Sequence, residues 1–432
     1  MLVVVALWVA GGGLEALTGL GAGLTSLGRL TGLVASDLLL IQVLLMARLP
    51  VVERVYGQDE LARRHRLVGF SSFNLMVAHV VLITIGYALV ADANLLVEAW
   101  DLVVTYPGML IALAGTLLLV LVTVTSIRKA RRKLRYESWH LLHLYAYLGV
   151  GLALPHQLWT GQEFLTSSLA TLYWWSLWIA AASAVLVWRV GMPLYRTFVH
   201  RLRVVAVVHE SADVVSVVMH GRHLDRLPVA AGQFFTWRFL DGPGWTRGHP
   251  YSLSAAPTSD TLRITVKDLG DGSGFLPRLR PGTRVAVEGP YGRLHEGVRT
   301  RRKVLLMAGG IGVTPLRGLL ESLPQSPGDV TLVYRARSTG DLVLREEIES
   351  LAAARGARVL YVLGPRLQGR DSWLPQSAGH VTDAQALRQI VPDVAAHDVY
   401  LCGADPWMEA VRRAALEAGV PADAIHQERF TW

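Results

Sequence analysis

Cysteine is all but absent from this 432-residue chain, in which Cys402 stands alone. A lone thiol closes no intrachain disulfide and builds no multi-thiolate iron–sulfur cluster, so packing must hold the chain together. Charge is scarce too: 18% of residues are charged and 52% hydrophobic, against about 25% charged in an average soluble domain. That balance excludes disorder and collagen-like architecture. No D-x-[DN]-x-[DN]-G run occurs, which excludes an EF-hand calcium loop. A net charge of +8 and an isoelectric point near 9.7 invite a nucleic-acid reading. Yet the Lys and Arg residues collect in short gaps between apolar runs, not along one stripe. That pattern belongs to a membrane protein, so the expected partner is a lipid bilayer and not nucleic acid.

The length exceeds what one hydrophobic core serves, and the texture changes at about residue 192. Before it lie six apolar runs near bilayer length: Leu2 to Val9 (short, an anchor or a mis-set start), Leu30 to Leu49, Leu67 to Val90, Met109 to Ser126, Trp139 to Leu158 and Thr171 to Val190. The gap after the second run holds Arg48, Arg54, Arg63, Arg64 and Arg66, and the gap after the fourth holds Arg128, Lys129, Arg131, Arg132, Lys133 and Arg135. The loop from Ala91 to Gly108 has only Asp92, Glu98 and Asp101, and the loop after the fifth run only Glu163. Basic loops face the cytoplasm, which predicts six spans in the cell membrane with both termini inside.

From Leu202, short β-branched runs such as VVAVVHE, VVSVVMH and RITVKD predict an antiparallel barrel. From Lys303, strands alternate with helices, as a doubly wound α/β sheet requires. Three domains follow, at 1–192, 193–298 and 299–432.

Five of the 14 histidines lie in or at the ends of apolar runs: His65 and His79 in the third, His140, His143 and His156 in the fifth. An ionisable group at that depth is expensive and marks a functional site by default. His79 follows His65 by 14 residues, roughly 21 Å of helical rise and about 40° from the same face. His156 follows His143 by 13, about 20 Å, so the depths match and two cross-helix pairs can form, His65 with His143 and His79 with His156. Each pair could hold a planar metal cofactor axially. Two imidazoles on one iron leave no open position, which suits electron carriage. On a straight helix His143 and His156 point about 140° apart, although Pro155, Gly149 and Gly151 could bend or rewind the run. His140 competes for the inner position.

These pairs on the third and fifth of six spans, with the cytoplasmic extension, resemble the NADPH oxidase and ferric reductase family of transmembrane flavocytochromes b over nearly the whole chain. The resemblance implies two b-type haems, the inner held by His65 and His143, the outer by His79 and His156. It also implies a ferredoxin-reductase-like module with an FAD barrel and an NAD(P) domain. Gly248-His249-Pro250-Tyr251-Ser252 resembles the R-x-Y-S flavin element of that module, with His249 in place of its arginine. The glycine-rich Lys267 to Gly274, with Gly272 and Ser273, could accept a diphosphate on backbone amides. Glu288-Gly289-Pro290-Tyr291-Gly292 resembles the turn that closes the barrel.

In Leu305 to Pro315 a strand runs straight into a helix through Gly309, Gly310 and Gly312, with Thr314 to cap the helix and Pro315 in its first turn. Strand before and helix after make this a dinucleotide turn. Where an acidic residue would meet the ribose of NADH stand Tyr334-Arg335-Ala336-Arg337-Ser338, and Arg335 and Arg337 favour the 2′-phosphate of NADPH. Cys402-Gly403 resembles the family's element beside the nicotinamide, and the family's terminal aromatic over the flavin is assigned to Trp432, with Phe430 second. Ser252, Cys402 and Trp432 are the expected catalytic positions. The expected activity carries electrons from NAD(P)H through FAD and two haems to an extracytoplasmic small molecule, oxygen or a ferric chelate. The alternative is a donor to a separate redox protein, although no protein partner is indicated.

Overall fold

A computed structural model describes residues 1–127, 130, 136–242, 244–270 and 272–428. The chain divides into two compact units, Met1–Val52 with Glu60–Val190 and Glu53–Asp59 with Gly191–Trp432.

The first unit is helical: α1 (Leu2–Ala10), α2 (Leu20–Met46), α3 (Pro50–Tyr56, across the unit boundary), α4 (Gln58–Ala91), α5 (Leu95–Thr105), α6 (Met109–Ser126), α7 (Tyr136–Leu152), α8 (Leu154–Thr160), α9 (Gln162–Thr166) and α10 (Ser168–Ala184). Among the described residues four helices are long and apolar enough to cross a membrane, Leu20–Met46, Glu60–Ala91, Met109–Ser126 and Ser168–His200. The other two of the six expected runs take different forms. The first is a helix of only 9 residues that stops at Gly11, about 13 Å long. The fifth breaks at Ala153, and Pro155 starts a second helix in the first turn of α8, where its missing N–H costs nothing. The basic gap after the fourth run lies largely outside the described residues. Close helix packing comes from small residues. A Cβ on Gly115 of α6 would lie 2.7 Å from the Gly149 carbonyl of α7, and one on Gly149 3.0 Å from that of Gly115.

The second unit follows from α11 (Met192–His200) and has two halves. In the first, β1 (Arg203–Ser211), β2 (Val214–His220) and β5 (Thr261–Lys267) form one antiparallel sheet, while β3 (Phe234–Phe239), β4 (His249–Ser252) and β6 (Val285–Tyr291) form another. Isolated bridges, Arg203 to Arg284 and Leu253 to Ile264, link the sheets, and Val217, Phe235, Trp237, Leu253 and Ile264 fill the space between them. In the second half β7 (Lys303–Gly309), α12 (Val313–Ser322), β8 (Val330–Ala336), α13 (Arg345–Arg355), β9 (Arg358–Leu363), α14 (Asp383–Ile390), β10 (His397–Cys402), α15 (Asp405–Glu417) and β11 (Ile425–Gln427) follow in turn. The parallel strands lie in the order β11-β10-β7-β8-β9. Buried on both faces, they carry near-continuous apolar runs, with Leu306 and Leu332 in one core and Leu305 and Val333 in the other. The chain reverses direction across the sheet between β7 and β10, and the crevice at their carboxyl ends is where such sheets bind ligands.

Candidate functional site

In the helical unit, α4 lies antiparallel to α2, and two of its imidazoles are anchored there. His79 Nδ1 is 2.8 Å from the Gly28 carbonyl and His65 Nδ1 is 3.3 Å from that of Gln42. A carbonyl only accepts, so Nδ1 must carry the proton and Nε2 keeps its lone pair for a metal. His143 Nδ1 lies 3.2 Å from Ser126 Oγ, which also accepts from Trp139 Nε1. The rings of His65 and His143 face each other with centroids 6.0 Å apart, planes inclined at 68°. Two metal–nitrogen bonds of about 2.0–2.1 Å plus the two half-rings require roughly that spacing, so the pair fits axial ligation of one metal. The His140 ring lies tilted beside Trp139, 6.5 Å between centroids and 48° between planes, and the ring that meets His65 belongs to His143.

The second pair rests on the break at Ala153. His156 lies on α8, three residues after the break, so α8 and not α7 sets the direction of its ring. Glycines make room for both rings. A Cβ on Gly32 would sit 2.5 Å from His79 Nδ1, and one on Gly108 3.0 Å from the His156 backbone. A cavity of about 250 Å³ opens beside this region, lined by Thr25, Ser26 and Arg29 on either side of Gly28, and by Tyr87. The Arg29 cation is neutralised by Glu163 at 2.5 Å.

In the first half of the second unit, β4 presents His249, Pro250, Tyr251 and Ser252. Trp237 Nε1 donates to the Tyr251 carbonyl, and the Tyr251 hydroxyl donates to the Gly272 carbonyl, tying the strand to the glycine-rich loop. Burial pushes the Tyr251 phenol pKa up, so it stays a donor. His249 stacks on Tyr251, 6.1 Å between centroids and 17° between planes. Ser273 Oγ donates to Asp268 and accepts from the Leu269 amide, closing the loop. Ser252 Oγ is buried and has no hydrogen-bond partner among the described residues. Such an orphan is what a bound group satisfies, so the strand fits a flavin with a polar ring edge.

In the second half, the turn after β7 sits in the crevice. Gly310 has φ +55°, and a Cβ on Gly312 would lie 2.2 Å from the Cys402 carbonyl, so the turn lies directly on the end of β10. Gly312 precedes α12. Thr314, expected as its cap, instead lies inside the first turn beside Pro315 and donates to the Ile311 carbonyl, leaving the first amides unclaimed by a side-chain cap. Cys402 is buried, and burial, then the Glu428 charge, push its thiol up to about 12.

Arg335 requires correction. Its guanidinium donates to the carbonyls of Trp373, Ala336, Val362, Gly364 and Pro365, so its donors are spent on the fold. Only Arg337, which is exposed, remains of the expected phosphate pair, and the Ser338 hydroxyl is held by Asp341 at 2.8 Å. Trp432 and Phe430 lie outside the described residues.

Two residues escaped sequence reasoning. The Trp407 ring covers Gly309 and Gly403, where a Cβ would meet it at 2.9 and 2.8 Å. Glu428 is buried with its carboxylate against Gly292, where a Cβ would approach to 2.2 Å, and its charge reaches Cys402. The chain enters this position from β11, where His426 Nε2 lies 3.0 Å from Asp398 Oδ1. Burial opposes the Asp398 charge, but His426 and the amides of Thr300 and Arg301 hold its pKa below the ordinary carboxylate value. Burial depresses the pKa of His426, against the pull of Asp398.

Residues 31–154 match the family described as ferric reductase like transmembrane component, and residues 306–413 match the oxidoreductase NAD-binding domain. The ferredoxin reductase component of 3-ketosteroid-9-alpha-monooxygenase from Mycolicibacterium smegmatis is 32% identical over 240 residues, 53% of this chain and 65% of that protein. Ferredoxin–NADP reductase B from Sorangium cellulosum is 32% identical over 201 residues, 44% of this chain and 80% of that protein. A flavohemoprotein from Bordetella pertussis is 31% identical over 245 residues, 53% of this chain and 60% of its own length. The chain thus spans just under two thirds of the length of the monooxygenase reductase component it matches. Together the two halves define a membrane oxidoreductase. The chain belongs to the ferredoxin–NADP reductase family and joins that module to a ferric-reductase-like transmembrane domain, the architecture of ferric reductases and NADPH oxidases.

Proposed function

We propose that the protein carries electrons across the cell membrane, from cytoplasmic NAD(P)H through FAD and two b-type haems to an extracytoplasmic acceptor, oxygen or a ferric chelate. The observation that carries this reading is the facing pair His65 and His143, 6.0 Å between centroids with each Nδ1 tied back. When bound, FAD takes two electrons from a nicotinamide and gives them up singly to haem.

The chain supplies the rest. Gly309 to Gly312 let the backbone approach a pyrophosphate, and the uncapped amides of α12 offer it donors. Trp407 and Gly403 floor the nicotinamide pocket, and the exposed Arg337 is the remaining cation for a 2′-phosphate. Ser252 would offer its hydroxyl to a flavin ring, His249 and Tyr251 would shape the strand beside it, and Gly272 and Ser273 would turn the loop toward a diphosphate. Cys402 and Glu428 enclose the reacting faces. His65 with His143, and His79 with His156, would hold the haem irons, and two imidazoles on one iron would leave an acceptor no open coordination site. Excess Lys and Arg in the gaps beside the histidine-bearing runs orient the protein with the dehydrogenase in the cytoplasm.

A second reading is favoured by the monooxygenase reductase relatives, whose names describe components of larger systems. In that reading the far-side acceptor is a separate redox protein. An absorption spectrum of the detergent-solubilised protein, before and after anaerobic NADPH or NADH, tests the core of both. A low-spin b-type spectrum reduced by nicotinamide is expected, with about half the haem lost in His79→Ala and in His156→Ala. Absence of haem, or full retention in both variants, overturns the assignment. Reoxidation by oxygen or a ferric chelate then separates small-molecule acceptors from a protein partner.

A further inference from the structure

We propose that Arg317 is a positioning residue for hydride transfer: it centres an ion-pair clamp that locks the turn following Ser252 to the helix carrying the dinucleotide turn. The inference rests on the proposed function and assigns the clamp a role in its first redox step.

Arg317 lies on α12, one helical turn beyond Gly312 to Thr314, and is only 4% exposed. Its guanidinium pairs with Glu321 on the same helix and with Glu347 on α13. Both carboxylates reach across to the flavin half. Glu321 Oε2 accepts from the Ala256 amide at 2.6 Å. Glu347 accepts from Arg263 of β5 at 3.0 and 3.1 Å, and Arg263 in turn donates to the Ser254 hydroxyl at 3.1 Å and the Ser254 carbonyl at 3.0 Å. Ser254 is fully buried and also accepts from Thr265 Oγ1 at 2.8 Å. A Cβ on Gly318 would touch Ala255 and the Leu253 carbonyl at an ordinary 3.5 Å, so α12 also packs directly on this turn.

Two cations and two carboxylates leave the cluster neutral, which argues against a site for a charged ligand. What they share is the backbone from Leu253 to Ala256, held within its own half by Arg263 and Thr265 of β5 and from the facing half by Glu321 and Glu347. Ser252 is joined to one side of that grip and the dinucleotide turn to the other. Hydride transfer from a reduced nicotinamide to an oxidised flavin needs reacting atoms about 3–3.5 Å apart, and a misplacement of about 1 Å can cost about a hundredfold. The clamp ties the two half-sites together through the few residues that follow Ser252 and one turn of α12.

The test uses the full-length, flavin-loaded protein in detergent, with Arg317→Met, Arg317→Lys and Glu347→Gln, and Arg345→Ala as a surface control on α13. In Arg317→Met the rate of flavin reduction at saturating nicotinamide should fall about 10–100-fold while the nicotinamide dissociation constant moves less than about threefold. Amide hydrogen exchange across Leu253 to Ala256 should speed up about tenfold. Arg317→Lys should recover part of both effects, and Arg345→Ala should show neither. A reduction rate within about twofold of the parent in folded Arg317→Met and Glu347→Gln overturns the proposal. So does unchanged exchange at Leu253 to Ala256. If Arg317→Met does not fold, Glu347→Gln decides by the same two readouts, since it keeps its shape at a partly exposed position. A parent protein whose flavin accepts nothing from either nicotinamide overturns the functional reading instead, and the exchange rates still show whether the clamp holds the turn.

Discussion

The helical unit and the strand-rich unit hold their functional groups in opposite ways. In the first, chemistry sits on helices. His79 and His65 hang on carbonyls of α2, and Gly28 and Gly32 of α2 allow α4 close enough for that. Where there is no water, each polar atom must find its partner inside the protein, and helix backbones are the partners at hand. In the second, chemistry sits at strand ends and turns: Ser252 at the end of β4, Gly309 at the end of β7, Cys402 at the end of β10. There backbone turns form the candidate site, and charged side chains such as Arg317 and Arg335 serve as struts. The lesson is that one chain positions imidazoles by their neighbours' backbone and positions backbone by its neighbours' side chains.

Gly32→Val breaks the helical side of that contrast and should have the largest effect. Its Cβ would lie 2.5 Å from His79 Nδ1, so about half of the bound haem should be lost, read as haem absorbance per protein. Gly151→Val, whose Cβ meets nothing within 4 Å, should keep the full complement. On the strand-rich side, Ser252→Ala removes only a hydroxyl, and flavin reduction measured by stopped flow should slow about 10–100-fold with the flavin still bound. Arg335→Met sharpens the distinction between strut and ligand. It should destabilise the protein by about 2–3 kcal/mol in thermal unfolding and leave the choice between NADPH and NADH unchanged. Arg337→Ala should do the reverse, weakening NADPH about tenfold and NADH little. A shift of coenzyme preference in Arg335→Met would refute the structural role of that side chain.

The smallest effect concerns pH. Because the folded-state pKa of His426 is depressed, the unfolded chain takes up its proton first on acidification. Stability is therefore fully present above the ordinary histidine value of 6.5 and declines as pH falls from there toward the depressed folded value. Asp398, also depressed, adds a second loss only below its ordinary 3.8. Thermal unfolding between about pH 7 and 5 should show the first decline, and His426→Asn should flatten it.

Much of this was legible in the sequence because it rests on spacing. The 14-residue interval of His65 and His79 and the strand–glycine–helix order around Gly309 each follow from periodicity. The break at Ala153 was legible as Pro155 beside two glycines, although its effect on His156 needed the fold. Other features depend on what folds back in three dimensions. Arg335 and Arg337 are equivalent in sequence, two arginines at a strand end, yet Arg335 lies within β8 and is taken up by a ring of carbonyls, whereas Arg337 follows the last residue of the strand and is exposed. Thr314 had the right chemistry for a cap but stands inside the helix. Glu428 had no signal at all, since nothing local announces that Gly292, far away in the chain, leaves room for its carboxylate.

The anchors of His65 and His79 have a mechanical consequence. Gln42 and Gly28, the carbonyls that hold them, are themselves 14 residues apart on the antiparallel neighbour, so the two helices mesh like a pair of gauge blocks. Sliding α4 along α2 would break both anchors at once, whereas tilting the pair together would break neither. The separation of the two imidazoles is thus fixed by counting residues and not by fine packing, and it would survive drift in almost every lipid-facing side chain around it.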